Sequence, residues 1–312
     1  MKKNYRILIT WKPAFFELRK YNKHFKKHNI KIDKFFSKQF LKENQLIGVI
    51  HKYDAVICGD DEFSKNVLKK AVKLKVISKW GTGLDSIDLH FCRKLKIKVF
   101  NSPGAFTNSV AQLAVGMLLC ISRDILNTHL DIKNNTWPKR AGFLINSKTI
   151  GIIGFGNIGK KISEMLTGFR CKVIYHDIKK KIRNIHKVKR VTKDNLLKSS
   201  DVIFLCTDLN KSSENLIDFN EIRVMKKNVC LINISRGKII NQKALVYGLK
   251  KKIIKAVGLD VFEEEPIKND NPLLKFNNCI LSSHNAFNTS EEVSKVHKNT
   301  FYNLFKGLNI IL

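Results

Sequence analysis

Short apolar runs alternate with longer polar stretches of helical period from one end of the 312-residue chain to the other. The first third holds YRILIT at 5–10, DAVIC at 54–58, KVIS at 75–78 and IKVF at 97–100. Their length and β-branched content predict strands, and the helix-like segments between them predict a parallel α/β layer. Asn101-Ser102-Pro103-Gly104 then punctuates the pattern, and a stretch from about Thr107 to Leu130 predicts one long helix, apolar on most sides. Such a helix suits burial between domains or subunits, so the first domain crossing is placed here.

A second series of runs follows, at 150–153, 173–175, 201–206 (DVIFLC), 229–234 (VCLINI), 256–262 (AVGLDVF) and 279–283 (CILSS). These predict six strands, the number a full dinucleotide-binding sheet needs. A last helix at about 290–306 lies beyond that sheet and is expected to cross back to complete the first domain. The fold class predicted is α/β, with two doubly wound parallel-sheet domains, one formed by 1–101 with 287–312 and the other by 102–286.

Between the first two runs of the second series lies GFGNIG. Gly154 permits a tight turn after the strand, Gly156 lets the backbone approach a pyrophosphate, and Gly159 lets the following helix sit close to the sheet. Asn157 and Ile158 open that helix, whose free N–H groups and partial positive charge attract phosphates. Ile158, Ile162, Met165, Leu166 and Phe169 recur at helical spacing and give it one apolar face. Asp177 ends the next strand, where a carboxylate accepts hydrogen bonds from an adenosine ribose and repels a 2′-phosphate. The cofactor expected is NAD, although Lys179, Lys180 and Lys181 follow at once and offer a 2′-phosphate the opposite attraction.

The net charge of +32, from 58 basic and 26 acidic residues, raises nucleic acid as a partner. The lysines, however, are spread over the whole chain. The densest cluster, 179–190, has no interleaved aromatics for bases to stack on, and it reads as a solvated basic surface with no specific nucleic-acid role. The seven cysteines stand singly with no CxxC pair, which predicts buried small hydrophobes in a reducing compartment and no metal site. The apolar run near the start is too short for a signal peptide, and the one at 110–121 is too short to span a bilayer and holds Gln112. The expectation is a soluble cytoplasmic protein with no membrane partner.

Three later strand ends each carry a chemically capable residue: Arg236 in NISRG, Glu265 in DVFEEEP and His284 in SSHN. Singly, each has an ordinary reading as a surface charge, a turn residue or a structural imidazole. Together they lie on the sheet edge that carries the glycine loop, and they suit hydride transfer to a carbonyl. Histidine donates a proton near neutral pH. A neighbouring carboxylate favours the charged imidazole and fixes its orientation. Arginine holds a substrate carboxylate through two parallel hydrogen bonds while polarising the carbonyl.

At this point the chain resembles the D-isomer-specific 2-hydroxyacid dehydrogenases over nearly its whole length. The likeness rests on GFGNIG with its downstream Asp, NISRG, GLDVFEEEP, the late His and NSPGAFTNSVAQLAVGMLL. It implies a Rossmann NAD-binding domain inserted into a flavodoxin-like substrate domain, with the active site in the cleft between them, and a homodimer joined around the long helix. It also implies that Arg236 binds the 2-oxo acid, His284 is the acid/base and Glu265 is its partner. Asp260 would lie near the nicotinamide, Thr107 would approach the cofactor, and Thr207 would lie beside the adenosine. Lys79 and the loop of Gly81, Thr82 and Gly83 would help to hold the substrate carboxylate.

The chain departs from the family at Ser283, where proline is usual, and at Gln112, where an acid is common; neither removes a catalytic group. VISKWGTGLDSIDL is similar to phosphoglycerate dehydrogenase-like members, so 3-phosphoglycerate is the leading substrate expected. Glyoxylate, hydroxypyruvate and D-lactate-type acids compete with it, because Asp60 and Asp61 stand where some phosphoglycerate enzymes place arginines. A rival of another class is an NAD-sensing corepressor-like protein that binds peptides.

Overall fold

The computed structural model describes residues 4–37, 40–179 and 188–311, and the chain divides into two units, Met1–Phe106 with Thr289–Leu312 and Thr107–Asn288. The division falls after Phe106 and not at the Pro-Gly pair. Ser102 N–H donates to Gly81 O at 2.8 Å, and the Phe106 ring lies 5.5 Å from Trp80, so this segment stays with the first unit.

The first unit is built on five parallel strands, β1 (Tyr5–Ile9), β2 (Ile30–Lys34), β3 (Ala55–Cys58), β4 (Val76–Lys79) and β5 (Lys98–Phe100), in the order β2-β1-β3-β4-β5. That order is the flavodoxin-like one. β2 is absent from the sequence reading because, as an edge strand with no fully buried position, IKIDK carries little hydrophobic signal. The helix Ser290–Gly307 belongs to this unit and buries Val296, Phe301, Leu304 and Phe305. Ser78 Oγ donates to Thr300 O on that helix at 2.8 Å, and Trp80 Nε1 donates to His297 Nδ1 at 3.1 Å.

The second unit holds seven parallel strands, β6 (Thr149–Ile153), β7 (Lys172–His176), β8 (Lys189–Arg190), β9 (Val202–Leu205), β10 (Val229–Asn233), β11 (Ile254–Leu259) and β12 (Cys279–Leu281). Their order, β12-β11-β10-β9-β6-β7-β8, is the doubly wound dinucleotide-binding arrangement with one added edge strand. From β8 to β11 the sheet follows the 3-2-1-4-5-6 order and the added edge strand is β12; β8, the strand that the sequence reading lacks, is two basic residues paired beside Ile174 and Tyr175, too short and too charged to read as a strand. Lys180 and Lys181 lie outside the described residues. β9 and β10 are buried along their whole length, which is why VIFL and VCLI are continuous apolar runs.

The expected single helix to Leu130 is two helices, Thr107–Arg123 and Ile125–Lys133, bent by 62°. Asp124 between them adopts the left-handed conformation (φ 50°), which ends a right-handed helix at once. The apolar pattern runs through the break because Ile125, Leu126, Leu130 and Ile132 are exposed. Among the described residues no single helix is long and apolar enough to cross a membrane.

Candidate active site

The switch in strand order lies between β6 and β9, and both strands end in residues singled out above. After β6, Gly154 has a φ of +89°, and a Cβ there would stand 2.6 Å from Cys206 O and 2.9 Å from Thr207 Cγ2. Only glycine lets the loop and the end of β9 approach so closely. A Cβ on Gly156 would meet nothing within 4 Å, so the loop faces open space there. The helix Asn157–Met165 begins directly behind, with no side-chain cap on its first N–H groups. Uncapped N–H groups at a helix start suit an anion.

Two further observations fit a dinucleotide. Thr207 Oγ1 is buried beside this loop with no hydrogen-bond partner, and a buried hydroxyl without a partner is uncommon. The Asp177 carboxylate accepts Phe155 N–H at 2.7 Å and Lys179 N–H at 2.8 Å, which fixes it against the glycine loop. A carboxylate has about four acceptor positions, so both oxygens can still accept from a ribose. Arg190 of β8 donates to Asp177 O at 2.7 Å, a neighbour that sequence reasoning missed because it treated the basic segment as surface.

The catalytic candidates stand at the ends of β10, β11 and β12. Asn233, the buried last residue of β10, accepts Ser235 N–H at 3.1 Å and Ser235 Oγ–H at 2.6 Å on Oδ1, and donates from Nδ2 to Arg236 O at 2.9 Å. One amide thus shapes the turn that presents Arg236. A Cβ on Gly237 would fall 1.8 Å from Phe262 C, so the turn lies directly on the backbone that follows β11.

Asp260, 1% exposed, holds the next loop. Its backbone N–H donates to Asn233 O at 3.0 Å, its carbonyl accepts His284 N–H at 2.7 Å, and its carboxylate accepts Asn285 N–H at 2.9 Å and Ala286 N–H at 3.0 Å. His284 therefore sits at a fixed backbone position, with φ of 53°. Its Nδ1 lies 2.7 Å from Glu265 Oε2, and Glu265 Oε1 accepts Phe262 N–H at 2.9 Å. Both oxygens of the glutamate are oriented, and so is the imidazole.

Arg236, Glu265 and His284 are thus carried on consecutive strand ends of one sheet, with Asp260 bracing the His284 loop. Thr107 opens the long helix of the same unit. Lys79, Gly81, Thr82 and Gly83 stand together in the first unit, at the end of β4. Lys79 is 3% exposed, and its Nζ donates to Asp60 Oδ1 at 2.9 Å and to Trp80 O at 3.3 Å. Gly81 has φ of 120°, and Thr82 O accepts Asn101 Nδ2–H at 2.7 Å. Among the described residues no group of three or more His, Cys, Asp or Glu side chains is placed to hold a metal ion. Asn233 and Gly237 carry as much of the geometry as the residues they position. Their signal is present in NISRG, but it reads as a turn until β11 is placed beside it.

Residues 115–286 match the family described as "D-isomer specific 2-hydroxyacid dehydrogenase, NAD binding domain". The chain is 34% identical over 278 residues to glyoxylate reductase of Thermococcus litoralis, covering 83% of this chain and 84% of that one. It is 36% identical over 257 residues to D-3-phosphoglycerate dehydrogenase of Methanocaldococcus jannaschii, covering 80% of this chain and 49% of that protein. The crystal structure of D-lactate dehydrogenase from Aquifex aeolicus complexed with NAD and lactic acid has the same fold, with a TM-score of 0.87, 24% identity and coverage of 97% and 95%.

Proposed function

The chain belongs to the D-isomer specific 2-hydroxyacid dehydrogenase family, and from that premise we propose how its own residues interconvert a small 2-oxo acid and its D-2-hydroxy acid. The enzyme is an NAD-dependent oxidoreductase. NADH, when bound, supplies the hydride to the carbonyl carbon. Gly154, Gly156, Asn157, Ile158 and Gly159 hold its pyrophosphate, and Asp177 and Thr207 hold the adenosine side. Thr107 and Asp260 flank the nicotinamide side.

Arg236 pairs with the substrate carboxylate and polarises the carbonyl. His284 gives the carbonyl oxygen a proton from Nε2, since Nδ1 faces Glu265, and the carboxylate of Glu265 stabilises the imidazolium that the reverse reaction forms. The observation that carries this reading is the 2.7 Å contact between His284 Nδ1 and an already oriented Glu265. The exposed apolar helix Ile125–Lys133 supports self-association as a homodimer.

The test is loss of NADH absorbance with glyoxylate, hydroxypyruvate, pyruvate and 3-phosphohydroxypyruvate. Turnover of at least one is expected. His284→Ala should lose about 10²–10⁴-fold in kcat and still bind NADH. Silence across the panel by a protein that binds NADH, or normal turnover by the variant, rejects the assignment.

A further inference from the structure

We propose that the amino edge of the second unit's sheet, opposite the end that carries Arg236, Glu265 and His284, is a docking surface for the phosphate backbone of a nucleic acid, bound without regard to its sequence.

The lysines are spread evenly along the chain but not around this sheet. The carboxyl ends of its strands carry Asp177, Asp260, Glu263, Glu264 and Glu265. The amino ends carry Lys148 just before β6, Arg170 and Lys172 at β7, Lys227 just before β10, and Lys252 and Lys255 at β11. These strands lie in the order β11-β10-β9-β6-β7, so the six cations form one row. Backbone bonds along the edge make it continuous. Lys172 N–H donates to Lys148 O at 3.3 Å, Asp201 N–H to Thr149 O at 2.8 Å, Cys230 N–H to Asp201 O at 2.9 Å and Val229 N–H to Ile253 O at 3.2 Å. With neighbouring strands about 4.8 Å apart, the row runs for about 20 Å and can meet several successive phosphates of one strand, which recur about every 3.4 Å of duplex axis.

Within two residues of the starts of β6, β7, β9, β10 and β11, Asp201 is the one acid. Its carboxylate accepts Thr149 N–H at 2.9 Å on one oxygen and Lys226 Nζ at 2.6 Å on the other, so it is already committed. Lys161 and Lys193 likewise take the carboxylates of Glu164 and Glu221, and among the described residues no ion pair reaches the six. Lys148 Nζ and Lys255 Nζ, from segments three strand positions apart, both lie over the Phe143 ring, 5.5 and 5.2 Å from its centre. Like charges gathered on one ring repel, and a polyanion laid across them relieves that repulsion.

Helix ends alone do not explain the row. Lys198 and Lys250 stand in last turns, where a cation answers the helix dipole. Lys172 and Lys255 lie within β7 and β11, where no dipole calls for them. An anionic bilayer fits less well, because it would take apolar side chains among the cations. The large exposed apolar residues gather at 125–137, and of the rest Leu144 and Val224 alone border the row. Among the described residues, Phe143 is the one ring that any of the six lies over, so bases find no series of rings to stack on and the contact is to backbone.

The test is fluorescence anisotropy of a labelled single-stranded RNA and a DNA duplex, each of about 20 nucleotides per strand, titrated with the intact protein from about 50 to 200 mM salt. The wild type should bind with a Kd of about 10⁻⁶ M at about 0.1 M salt, alike for unrelated sequences. Lys172→Gln, Lys227→Gln, Lys252→Gln and Lys255→Gln together should weaken binding by at least about tenfold and lower the slope of log Kd against log salt by about 3. The same four positions changed to arginine should keep both. Glutamine at four exposed lysines elsewhere, Lys12, Lys31, Lys69 and Lys94, should cost less than about threefold. NADH affinity should be unmoved in every variant, as the check on folding. No binding by the wild type at about 0.1 M salt, equal loss in the two glutamine variants, an unmoved slope, or tighter binding to phosphatidylserine vesicles or to polyglutamate overturns the proposal.

Discussion

Arg236 projects from a turn whose shape comes from Asn233, which spends its side-chain amide on Ser235 and on the carbonyl of Arg236 itself. The guanidinium is thus presented by a rigid backbone, as bidentate recognition of a carboxylate requires. Arg236→Ala should raise KM and lower kcat, with kcat/KM falling by about 10³-fold, since two charge-assisted hydrogen bonds and the polarisation of the carbonyl are lost together. Arg236→Lys should recover little, because an ammonium cannot form the two parallel bonds. NADH oxidation at varied substrate checks both, and unchanged kinetics would remove Arg236 from the site. At this scale the sequence exposes residue types, and Arg236, Glu265 and His284 are recognisable because few side chains can do their chemistry. Asn233 and Asp260 are less legible. The carboxylate of Asp260 binds backbone groups 25 and 26 residues away, on Asn285 and Ala286, which no local pattern marks, and Asn233 reads as an ordinary turn residue until β11 is placed beside its turn.

The approach of the Arg236 turn to the segment after β11 is an element-level fact that depends on a missing side chain. Gly237→Ala would place a Cβ inside the contact distance of Phe262 and Glu263 backbone atoms. Backbone cannot rotate away as a side chain can, so the two strand ends must separate. We expect a loss of about 1–3 kcal/mol, a Tm lower by about 3–10 °C and a raised KM; a variant with wild-type Tm and KM would show that the ends are not held by this contact. The strands with buried centres, β9 and β10 above all, were legible because burial on both faces leaves an unbroken apolar run. The edge strands β2 and β8 were not, since an edge needs no such run. The break at Asp124 was hidden for the opposite reason: the apolar residues beyond it continue the pattern while facing outward.

For the whole molecule, those outward residues lead to a prediction about assembly. Leu130 is 53% exposed and Trp137 75% exposed, beside Ile125, Leu126 and Ile132. Five exposed large apolar side chains between 125 and 137 suit an interaction surface. Light scattering should give a mass near twice 35.9 kDa for the wild type and near 35.9 kDa for the Leu126→Asp, Leu130→Asp double variant; a monomeric wild type would dismiss the dimer. The sequence by itself determined the α/β class, the glycine turn followed by Asp177, and the types of the candidate catalytic residues, because hydrophobic period and turn chemistry are local properties of a chain. The tertiary structure decided what lies against what: Asp60 on Lys79, Asp260 under the His284 loop and Gly237 on Phe262. Each of these joins segments that only parallel strand pairing and its long crossovers bring together, and the sheet order that does so is a property of the whole unit.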